Sequence, residues 1–597
     1  MQPGFTTRPE IVGSFGAVSS THWLASAVGM RALELGGNAF DAAVATGFTL
    51  QIVEPHLNGP GGDVPIIFQR ADADEPTVLC GQGVAPADAA IEHFQELGLL
   101  LVPGTGLLPA VVPGAFDAWM LLLRDHGTLP LRTVLEPTIA YAESGFPLLA
   151  ETAQTIQGAI DLFTNAWPSS AEVWLRQGRA PAPGARFTTP SIGAAYRRIL
   201  EEAESRSTDR DEQIEAARKV FYQGFVADAI DGFYRDFEAL DSSGRRHKGL
   251  LTGDDLACWQ ASYEPTLAFD YAGYRVHKTG PWGQGPVFLQ QLALLQGFDI
   301  AAMDPLGDRF VHTVIECAKL AFADRDVFYG DPAFTDVPME TLLSAAHNER
   351  RRGLVTDRAS DELRPSGLPD AQARLATLLR MSGAEAAAGV GGGEPTFADL
   401  GPPSGDTCHL DVVDRFGNLV SATPSGGWLQ SSPAIPGLGF NVTTRGQMFW
   451  LDDDLPSSLV PGKRPRTTLT PTLVTKGNRP WIGIGTPGGD QQDQWTVAVL
   501  LHHLHHGMNL QAAIDCPIFH SAHMVSSFHP RDRQPNHVLI ETRFPEATIN
   551  ALKLRGHHIE GDSDWALGKV CAAGFRDDGL LRAAATPRLM QAYALGR

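Results

Sequence analysis

The sequence lacks runs of basic residues and long apolar stretches. It contains 47 Lys and Arg against 68 Asp and Glu, which gives a formal net charge of −21 at pH 7. Nucleic acids and anionic lipid surfaces attract clustered positive charge, so neither is expected as the main partner. No segment approaches the roughly 20 apolar residues of a membrane span. The N-terminus also lacks the basic and apolar regions of a signal peptide, which predicts a cytoplasmic protein.

Signals for metal and thiol chemistry are also scarce. The six cysteines lie far apart without a Cys-x-x-Cys pair, so we expect mostly buried thiols in a reducing compartment. One histidine cluster stands out: His502, His503, His505 and His506. Imidazoles bind zinc, but these residues end a predicted helix, where the helix dipole favours them, and no cysteine or carboxylate pattern completes a zinc set. We therefore expect no metal.

The chain is long enough for a large core. It has 597 residues, of which 43% are hydrophobic, as in ordinary globular proteins. Residues 22–51 carry small and apolar side chains at helical spacing, and glycines at 36–37 divide them into a predicted helical hairpin. Residues 64–68 and 77–80 predict buried strands, whereas about 110–350 is mainly helical.

The sequence changes character in its last third. Residues 383–405 are rich in Gly and Pro and poor in large apolar groups, which predicts a mobile surface loop. Residues 407–413 then alternate like a strand and form a predicted hairpin with 419–423. Residues 480–485 predict another strand, and a helix follows from about 492. Such alternation indicates strands that lie between helical layers.

The strand that begins at Thr407 contains the candidate nucleophile. A threonine in a strand is usually only a good β-former. Thr407, however, follows a loop suited to cutting, and cleavage of the Asp406–Thr407 bond would give it a free α-amine. That amine can take the proton of its own hydroxyl, so one residue can supply both nucleophile and base. This chemistry requires neither a catalytic triad nor a G-x-S-x-G elbow.

Two glycine pairs are candidates for holding an oxyanion. Gly426-Gly427 and Gly488-Gly489 each follow a predicted strand, and adjacent glycines can present backbone amides without a side chain in the way. A Gly-Gly pair after a strand is, taken alone, more often only a turn.

Several ordered motifs resemble those of one enzyme family. They are LGGNAFDAAVATGFTLQIVEPHLNGPGG, VPGAFDAW, VFYQGFVADAI, CAKLAFADRDVFYGDP, DTCHLDVVDRFGN, KRPRTTLTPTL and GTPGGD. Together they resemble γ-glutamyltranspeptidases, which are N-terminal nucleophile (Ntn) hydrolases. The resemblance implies an α/β (α+β) fold, a four-layer αββα sandwich. It also implies a proenzyme that cuts itself into a large subunit, 1–406, and a small subunit, 407–597.

The resemblance assigns catalytic roles to four positions. Thr407 matches the self-processing nucleophile of the family, although the next residue here is Cys408. Ser425 falls where the family has a threonine hydroxyl close to the new α-amine. Gly488 and Gly489 match the glycines of the oxyanion hole. The resemblance therefore predicts intact catalytic machinery.

The substrate positions depart from the family pattern. The resemblance gives Thr467 and Thr468 the place of two hydroxyls that hold the α-carboxylate of a γ-glutamyl group, and Gln447 a polar substrate-side place. Gln82 stands where the family has its carboxylate-binding Arg, and Trp450 where it has an amine-binding Asp. A neutral amide cannot give the bidentate, charge-assisted contact of a guanidinium.

Other residues near these positions can line the pocket. An Asn that helps to bind the amino group is replaced by Gly427, and the run that begins with Asp490 is unlike the family pattern. We therefore include Asp490 among the candidate substrate residues. Arg464 or Arg466 can restore a contact with an anion, depending on how their loop folds.

We expect an autoprocessing amide hydrolase or acyltransferase. The acyl donor implied by the resemblance is a glutathione-like γ-glutamyl compound. An alternative is a non-γ-glutamyl amide, as in a cephalosporin-acylase-like enzyme or a hydrolase of small amidic acids. A further alternative is an inactive scaffold of the same fold. The expected partners are a small amide substrate and the two subunits of one precursor, without a cofactor; further oligomers are left open.

Overall fold

The fold is described from a computed structural model for residues 5–382 and 407–597. The predicted mobile loop 383–405 and Asp406 lie outside the described residues. The strands are β1 Ile11–Gly13, β2 Gly16–Ser20, β3 Val64–Gln69, β4 Thr77–Gly81, β5 Phe146–Pro147, β6 Arg186–Phe187, β7 Ala239–Leu240, β8 Arg246–His247, β9 Ser262–Pro265, β10 Leu267–Tyr271, β11 Tyr274–Lys278, β12 Leu410–Asp414, β13 Leu419–Ala422, β14 Thr472–Lys476, β15 Arg479–Gly485, β16 Phe519–Ser521, β17 His537–Glu541, β18 His558–Asp562, β19 Cys571–Phe575, β20 Leu581–Ala585 and β21 Tyr593–Gly596.

Helices connect and cover these strands. They are α1 Trp23–Glu34, α2 Ala39–Val53, α3 Ile91–Glu96, α4 Ala115–His126, α5 Leu131–Ser144, α6 Ala150–Gly158, α7 Ile160–Asn165, α8 Pro168–Trp174, α9 Pro190–Arg206, α10 Arg210–Gln223, α11 Phe225–Asp236, α12 Gly253–Cys258, α13 Gly285–Leu295, α14 Asp308–Phe328, α15 Met339–Leu343, α16 Ala345–Arg352, α17 Ala371–Met381, α18 Gln492–His505, α19 Leu510–Asp515 and α20 Glu546–Arg555.

Two seven-stranded antiparallel sheets form the centre of the molecule. The strand orders are β1-β20-β19-β15-β14-β11-β10 and β21-β2-β12-β13-β3-β4-β9. Their inner faces meet in one apolar cluster that includes Val78, Val413, Leu473 and Ala573. Strands β19 and β20 contribute several alanines to this contact, and such small side chains let the sheets approach closely. Each sheet contains strands from both sides of residue 407.

Helices pack on the outer face of each sheet. Helix α2 is buried along its whole length and lies on β12 and β13, with α1, α4 and α5 around it. Helices α13, α18 and α19 cover the other sheet and share a second large apolar core. The result is four layers in the order helix, sheet, sheet, helix. The predicted αββα sandwich is confirmed.

The predicted local elements are confirmed with small shifts. Asn38 caps α2 and forms a capping box with Asp41, which separates the two helices of the hairpin. Strand β12, however, begins at Leu410 rather than at Thr407. Thr407 pairs with Ser425 only in an isolated bridge, because Pro424 has no N–H to donate and Gly426 has a φ of 76°.

Two further expectations concern membrane spans and cysteines. Across residues 5–382 and 407–597, no helix is both long and apolar enough to cross a bilayer. The cysteines are all free thiols, and five of the six are buried, with Cys258 the exposed exception. The prediction of mostly buried thiols is confirmed.

Buried histidines make stability depend on pH. Burial lowers the pKa of His22, His502 and His520 to about 3, from 6.5. The unfolded chain binds protons at these sites below pH 6.5 and the folded chain does not. The free energy of unfolding should therefore fall as pH drops from 6.5 towards 3, by up to about 1.4 kcal/mol per pH unit for each histidine.

Urea unfolding at pH 7.5 and pH 5.5 measures this loss. His502→Phe should reduce the difference, because Phe310 already stacks on that ring and the substitution removes a titrating group. His558→Gln changes an exposed side chain and should leave the difference unaltered. Equal stability of the wild type at the two pH values would contradict the prediction.

Candidate active site

Thr407 and Ser425 meet in a buried position just before β12. Their side-chain oxygens lie 3.2 Å apart, and both residues are at most 1% exposed. Ser425 is fixed by paired backbone hydrogen bonds with Asp63, at 3.0 Å and 2.8 Å. The structure therefore brings together the two hydroxyls that the sequence analysis paired.

The residue after Thr407 belongs to a separate buried network. Cys408 Sγ donates to Glu54 Oε2 at 3.1 Å, and Thr21 donates to the same oxygen at 2.6 Å. Burial and the Glu54 carboxylate raise the pKa of the Cys408 thiol well above its ordinary value. Cys408 therefore remains protonated and is not a second nucleophile beside Thr407.

His409 supports the start of β12. Its Nδ1 lies 2.9 Å from Thr423 Oγ1, and its Nε2 lies 2.9 Å from Asp411 Oδ2. A Cβ atom on Gly485 would lie 2.3 Å from the His409 ring, so only glycine fits at the end of β15. This close approach places the end of β15, three residues before Gly488, beside His409, which is two residues after Thr407.

Gly488 has a backbone conformation and a close neighbour that only glycine accommodates. Its φ is 106°, in the region that favours glycine, and a Cβ there would lie 2.6 Å from the Trp495 ring of α18. Gly488 and Gly489 form the turn between β15 and α18. A turn of glycines leaves backbone amides free of side-chain cover, as an oxyanion site requires.

A buried ion pair lies behind Ser425. Arg445 contacts Asp63 through two hydrogen bonds, Nε to Oδ2 at 2.8 Å and Nη2 to Oδ1 at 3.2 Å. Burial raises the pKa of Asp63, and Arg445 opposes that rise. The sequence analysis missed this pair, because the two residues are 382 positions apart, Asp63 just before β3 and Arg445 at the start of a short 3-10 helix. The pair holds the loop to which Ser425 is bonded.

Residues 526–531 join several of the predicted substrate positions. His529 N donates to Gln447 Oε1 at 3.2 Å, and Gln447 Nε2 donates to Gly104 O at 3.2 Å. The Gln447 amide is thus engaged by the protein. Arg531 lies over the Trp450 ring at 4.4 Å from its centroid. Sequence reasoning did not find this segment, because it lies in a loop whose residues show no periodic pattern.

Asp490 is held by the same segment. It accepts hydrogen bonds from Ser527 N at 2.8 Å and Ser527 Oγ at 2.6 Å, and it pairs with Arg325. Burial alone would raise the pKa of Asp490, but Arg325 and Arg466 lower it below the ordinary value. Asp490 is therefore an ionised, internally paired carboxylate.

The remaining substrate positions lie on two adjacent segments. Ala85 N donates to Lys463 O at 2.8 Å, so the segment after β4 runs beside 462–468. Gln82 is fully buried; its Nε2 makes a long contact of 3.4 Å with Gly83 O, and its Oε1 has no hydrogen-bond partner among the described residues.

Thr467 and Thr468 differ in their hydrogen bonds. Thr467 Oγ1 accepts from Leu469 N at 3.3 Å, whereas Thr468 Oγ1 is buried and has no partner within the part of the chain that the structure describes. Arg464 is bound by Asp331, with Nη2 to Oδ1 at 2.8 Å, and by Glu264. Arg464 is therefore not free to contact an anion.

One histidine and glutamate group has metal-like spacing. The ligand atoms of His312, Glu316 and His557 lie within 4.8 Å of one another. Glu316, however, pairs with Lys319 at 2.7 Å and with Arg364 at 2.9 Å, and His312 Nε2 lies 2.7 Å from a backbone carbonyl oxygen. These contacts commit the Glu316 carboxylate to two cations and both His312 nitrogens to hydrogen bonds, whereas His557 Nδ1 has no partner among the described residues.

The histidines that are clustered near residue 505 in the sequence contact different partners. His505 Nε2 lies 2.9 Å from Tyr271 Oη, His506 Nε2 lies 3.0 Å from Met303 O, and His503 Nδ1 contacts Met508 O. The rings therefore bind neighbouring elements rather than one centre.

Comparisons with known proteins agree with this architecture. The family description "Gamma-glutamyltranspeptidase" matches residues 25–595. A "Glutathione hydrolase-like YwrD proenzyme" of Bacillus subtilis (strain 168) is 30% identical, over 97% of this chain and 98% of that protein. An "Acylase ACY 1 proenzyme" of Pseudomonas sp. (strain SE83) is also 30% identical, over 96% of this chain and 92% of that protein.

Solved structures of similar proteins superpose on this fold along its whole length. The structure of LmbA2991HD superposes with a TM-score of 0.92 at 48% identity, with full coverage of both chains. A cephalosporin acylase from Bacillus halodurans superposes with a TM-score of 0.82 at 28% identity, over 100% of this chain and 98% of that chain. The match therefore extends across both sheets and the helical layers, and the chain belongs to the gamma-glutamyltranspeptidase family of Ntn hydrolases.

Proposed function

We propose that this protein is a self-cleaving amidase whose nucleophile is Thr407. Cleavage of the Asp406–Thr407 bond would yield a large subunit, 1–406, and a small subunit, 407–597. The observation that carries the proposal is the buried Thr407–Ser425 pair, with hydroxyl oxygens 3.2 Å apart at the head of β12. The proenzyme names of the relatives support a precursor that is cut.

The proposed reaction proceeds through an acyl-enzyme. The new α-amine of Thr407 takes the hydroxyl proton as Oγ1 attacks the amide carbonyl carbon. Backbone amides of Gly488 and Gly489 hold the developing oxyanion. The carbon–nitrogen bond breaks, the amine leaves with a proton, and the acyl group remains on Oγ1 as an ester. Water hydrolyses that ester, or a second amine accepts the acyl group.

The acyl donor is proposed from the charges near the site. A γ-glutamyl group carries an ammonium ion, which requires an acidic partner. Asp490 is committed to Arg325 and Ser527, and Asp63 is committed to Arg445. We therefore favour a non-γ-glutamyl acyl group, in line with the acylase relative.

The γ-glutamyl donor is the second candidate, and a panel of anilides distinguishes the two. Self-cleaved enzyme should hydrolyse at least one non-γ-glutamyl acyl anilide with kcat/KM about tenfold or more above that of γ-glutamyl anilide, because an unpaired ammonium is costly to bury. A preference for γ-glutamyl anilide would reverse the assignment of the donor.

The same preparation tests the inactive-scaffold alternative. Denaturing gel electrophoresis should show two fragments, of 406 and 191 residues, instead of one chain of 597. One persistent band together with no hydrolysis of any anilide would support the scaffold.

A further inference from the structure

Arg466 is a buried cation to which no carboxylate of the described residues is bonded. It is 3% exposed, and its Nη2 donates to Ser527 Oγ at 2.9 Å. Its Nη1 is buried and has no hydrogen-bond partner in residues 5–382 and 407–597. A buried charged donor without an acceptor is unfavourable, so such a group in a folded protein indicates a missing partner.

Thr468 provides a second unpaired group on the same side. Thr467 forms a parallel bridge with Gly283, so the segment around it is extended. In an extended segment, residues two apart place their side chains on one face. Arg466 and Thr468 therefore share a face, and both have a buried polar atom without a partner, Nη1 and Oγ1. Two unpaired hydrogen-bond donors on one face can together bind an anion such as a carboxylate.

The charges around Arg466 leave one positive charge uncompensated. The buried cluster contains three arginines and two aspartates: Arg325, Arg466, Arg531, Asp326 and Asp490. Both aspartates are bound by Arg325, and no other carboxylate of residues 5–382 and 407–597 lies within ion-pair distance of Arg466 or Arg531. A buried cluster with one excess positive charge favours an anionic ligand and opposes an ammonium ion.

Arg531 is fixed behind this position. Its Nη2 donates to Gln447 O at 2.7 Å and to Phe449 O at 3.1 Å, and its guanidinium lies over Trp450. Burial and the positive charge of Arg466 lower the pKa of Arg531 to about 9. Burial and Arg325 lower the pKa of Arg466 to about 10. Both arginines are therefore charged at neutral pH, and a bound anion would relieve their repulsion.

Contacts connect this cluster with the Thr407 site. Phe528, next to Ser527, packs with Trp428 and Met448, and Trp428 lies three residues after Ser425. On the other side, Ser527 bonds to Asp490, which directly follows Gly489. The segment of Ser527 and Phe528, to which Arg466 is hydrogen-bonded, thus contacts residues near both the proposed nucleophile pair and the proposed oxyanion site.

We propose that Arg466 and Thr468, with Arg531 behind them, form an anion-binding subsite that selects amide substrates carrying a carboxylate and lacking an ammonium group nearby. The proposal rests on the amidase function proposed above and names the substrate class of that site. Arg466 would donate from Nη1 to one carboxylate oxygen, and Thr468 Oγ1 would donate to the other. Arg464 does not belong to this subsite, because Asp331 and Glu264 already bind its guanidinium.

A binding experiment tests the subsite without relying on catalysis. Glutarate is titrated calorimetrically into the wild-type protein and into Arg466→Leu. The wild type should bind glutarate, and Arg466→Leu should bind it about 10- to 100-fold more weakly, as expected for a lost charge-assisted hydrogen bond. Absence of glutarate binding to the wild type would overturn the proposal, even if the protein proved to be an active amidase.

A kinetic experiment determines whether the subsite recognises a carboxylate on the acyl side or on the amine side of the substrate. Glutaryl anilide is compared with its methyl ester, and the pentanoyl amide of 4-aminobenzoate is compared with its methyl ester. The first acid carries the charge on the acyl side and the second on the amine side. For at least one pair, Arg466→Leu should lower the ratio of kcat/KM for acid over ester by about 10- to 100-fold. Unchanged ratios for both pairs would refute the subsite.

Two further variants serve as controls. Arg466→Lys keeps the charge and should retain part of the preference for the acid. Arg582→Leu removes another buried arginine with unpartnered nitrogens, which stacks on Trp481 outside this cluster, and should leave the ratios unchanged. An equal loss in Arg582→Leu would show that the effect is a general one on folding. Failure of the wild type to self-cleave or to hydrolyse any amide counts against the proposed function, whereas the glutarate titration still decides the subsite.

Discussion

Replacing Thr407 with alanine should leave a single polypeptide of 64.2 kDa that lacks amidase activity. The substitution removes the hydroxyl that is proposed both to cut the precursor and to attack the substrate. Loss of a nucleophile typically lowers kcat by about 10⁴-fold or more. Denaturing electrophoresis and an anilide assay measure the two effects separately. The fold should persist, because the lost oxygen contacts Ser425 at 3.2 Å and the strand ladder begins only at Leu410.

Thr407→Ser is the matched control for this experiment. It keeps an oxygen nucleophile on the same Cβ and should still self-cleave, although more slowly. An alanine variant that still divides at residue 407, or that retains full hydrolysis, would refute Thr407 as the nucleophile. A folded alanine variant is recognised by a single cooperative thermal transition.

Gly488→Ala should lower kcat by about 10²- to 10³-fold, the usual cost of losing one oxyanion donor. The added Cβ would lie 2.6 Å from the Trp495 ring, and the φ of 106° disfavours any side chain. The turn must therefore shift, and the backbone amide would move away from the oxyanion. Steady-state kinetics on the best anilide, with self-cleavage followed in parallel, measures the effect.

Gly477→Ala controls for backbone strain alone. Gly477 also has positive φ, 62°, but it lies in the β14–β15 turn with no atom within 4 Å of an added Cβ. It should cost about 1 kcal/mol of stability and leave kcat unaffected. Full activity in Gly488→Ala would remove this glycine from the proposed oxyanion site.

The sandwich could be predicted because its elements have strong local patterns. The helical hairpin, the β12–β13 hairpin and β15 all follow from apolar periodicity and turn residues. The pairing of Thr407 with Ser425 followed from the family resemblance, and the structure places the two residues opposite each other just beyond the β12–β13 ladder. The family motifs then fixed the layer order, which periodicity alone leaves open.

Long-range polar contacts could not be predicted in the same way. Arg445 and Asp63 meet across 382 residues, and Ser527 reaches Asp490 from an irregular loop. Hydrogen bonds of this kind depend on how loops cross above the sheets, for which a single sequence carries no periodic signal. The choice between Arg464 and Arg466 depended on two acidic residues, Glu264 and Asp331, that are distant in sequence.

The mixed origin of both sheets has a consequence for how the mature protein would unfold. Strands β21, β12 and β13 alternate with β2, β3, β4 and β9 in one sheet, and the other sheet mixes strands from the same two parts of the chain. Before cleavage, unfolding involves one molecule. After cleavage at residue 407, it would release two chains, so refolding would become second order and the midpoint of unfolding would depend on protein concentration. The cut would thus convert the folding of one chain into the assembly of two chains.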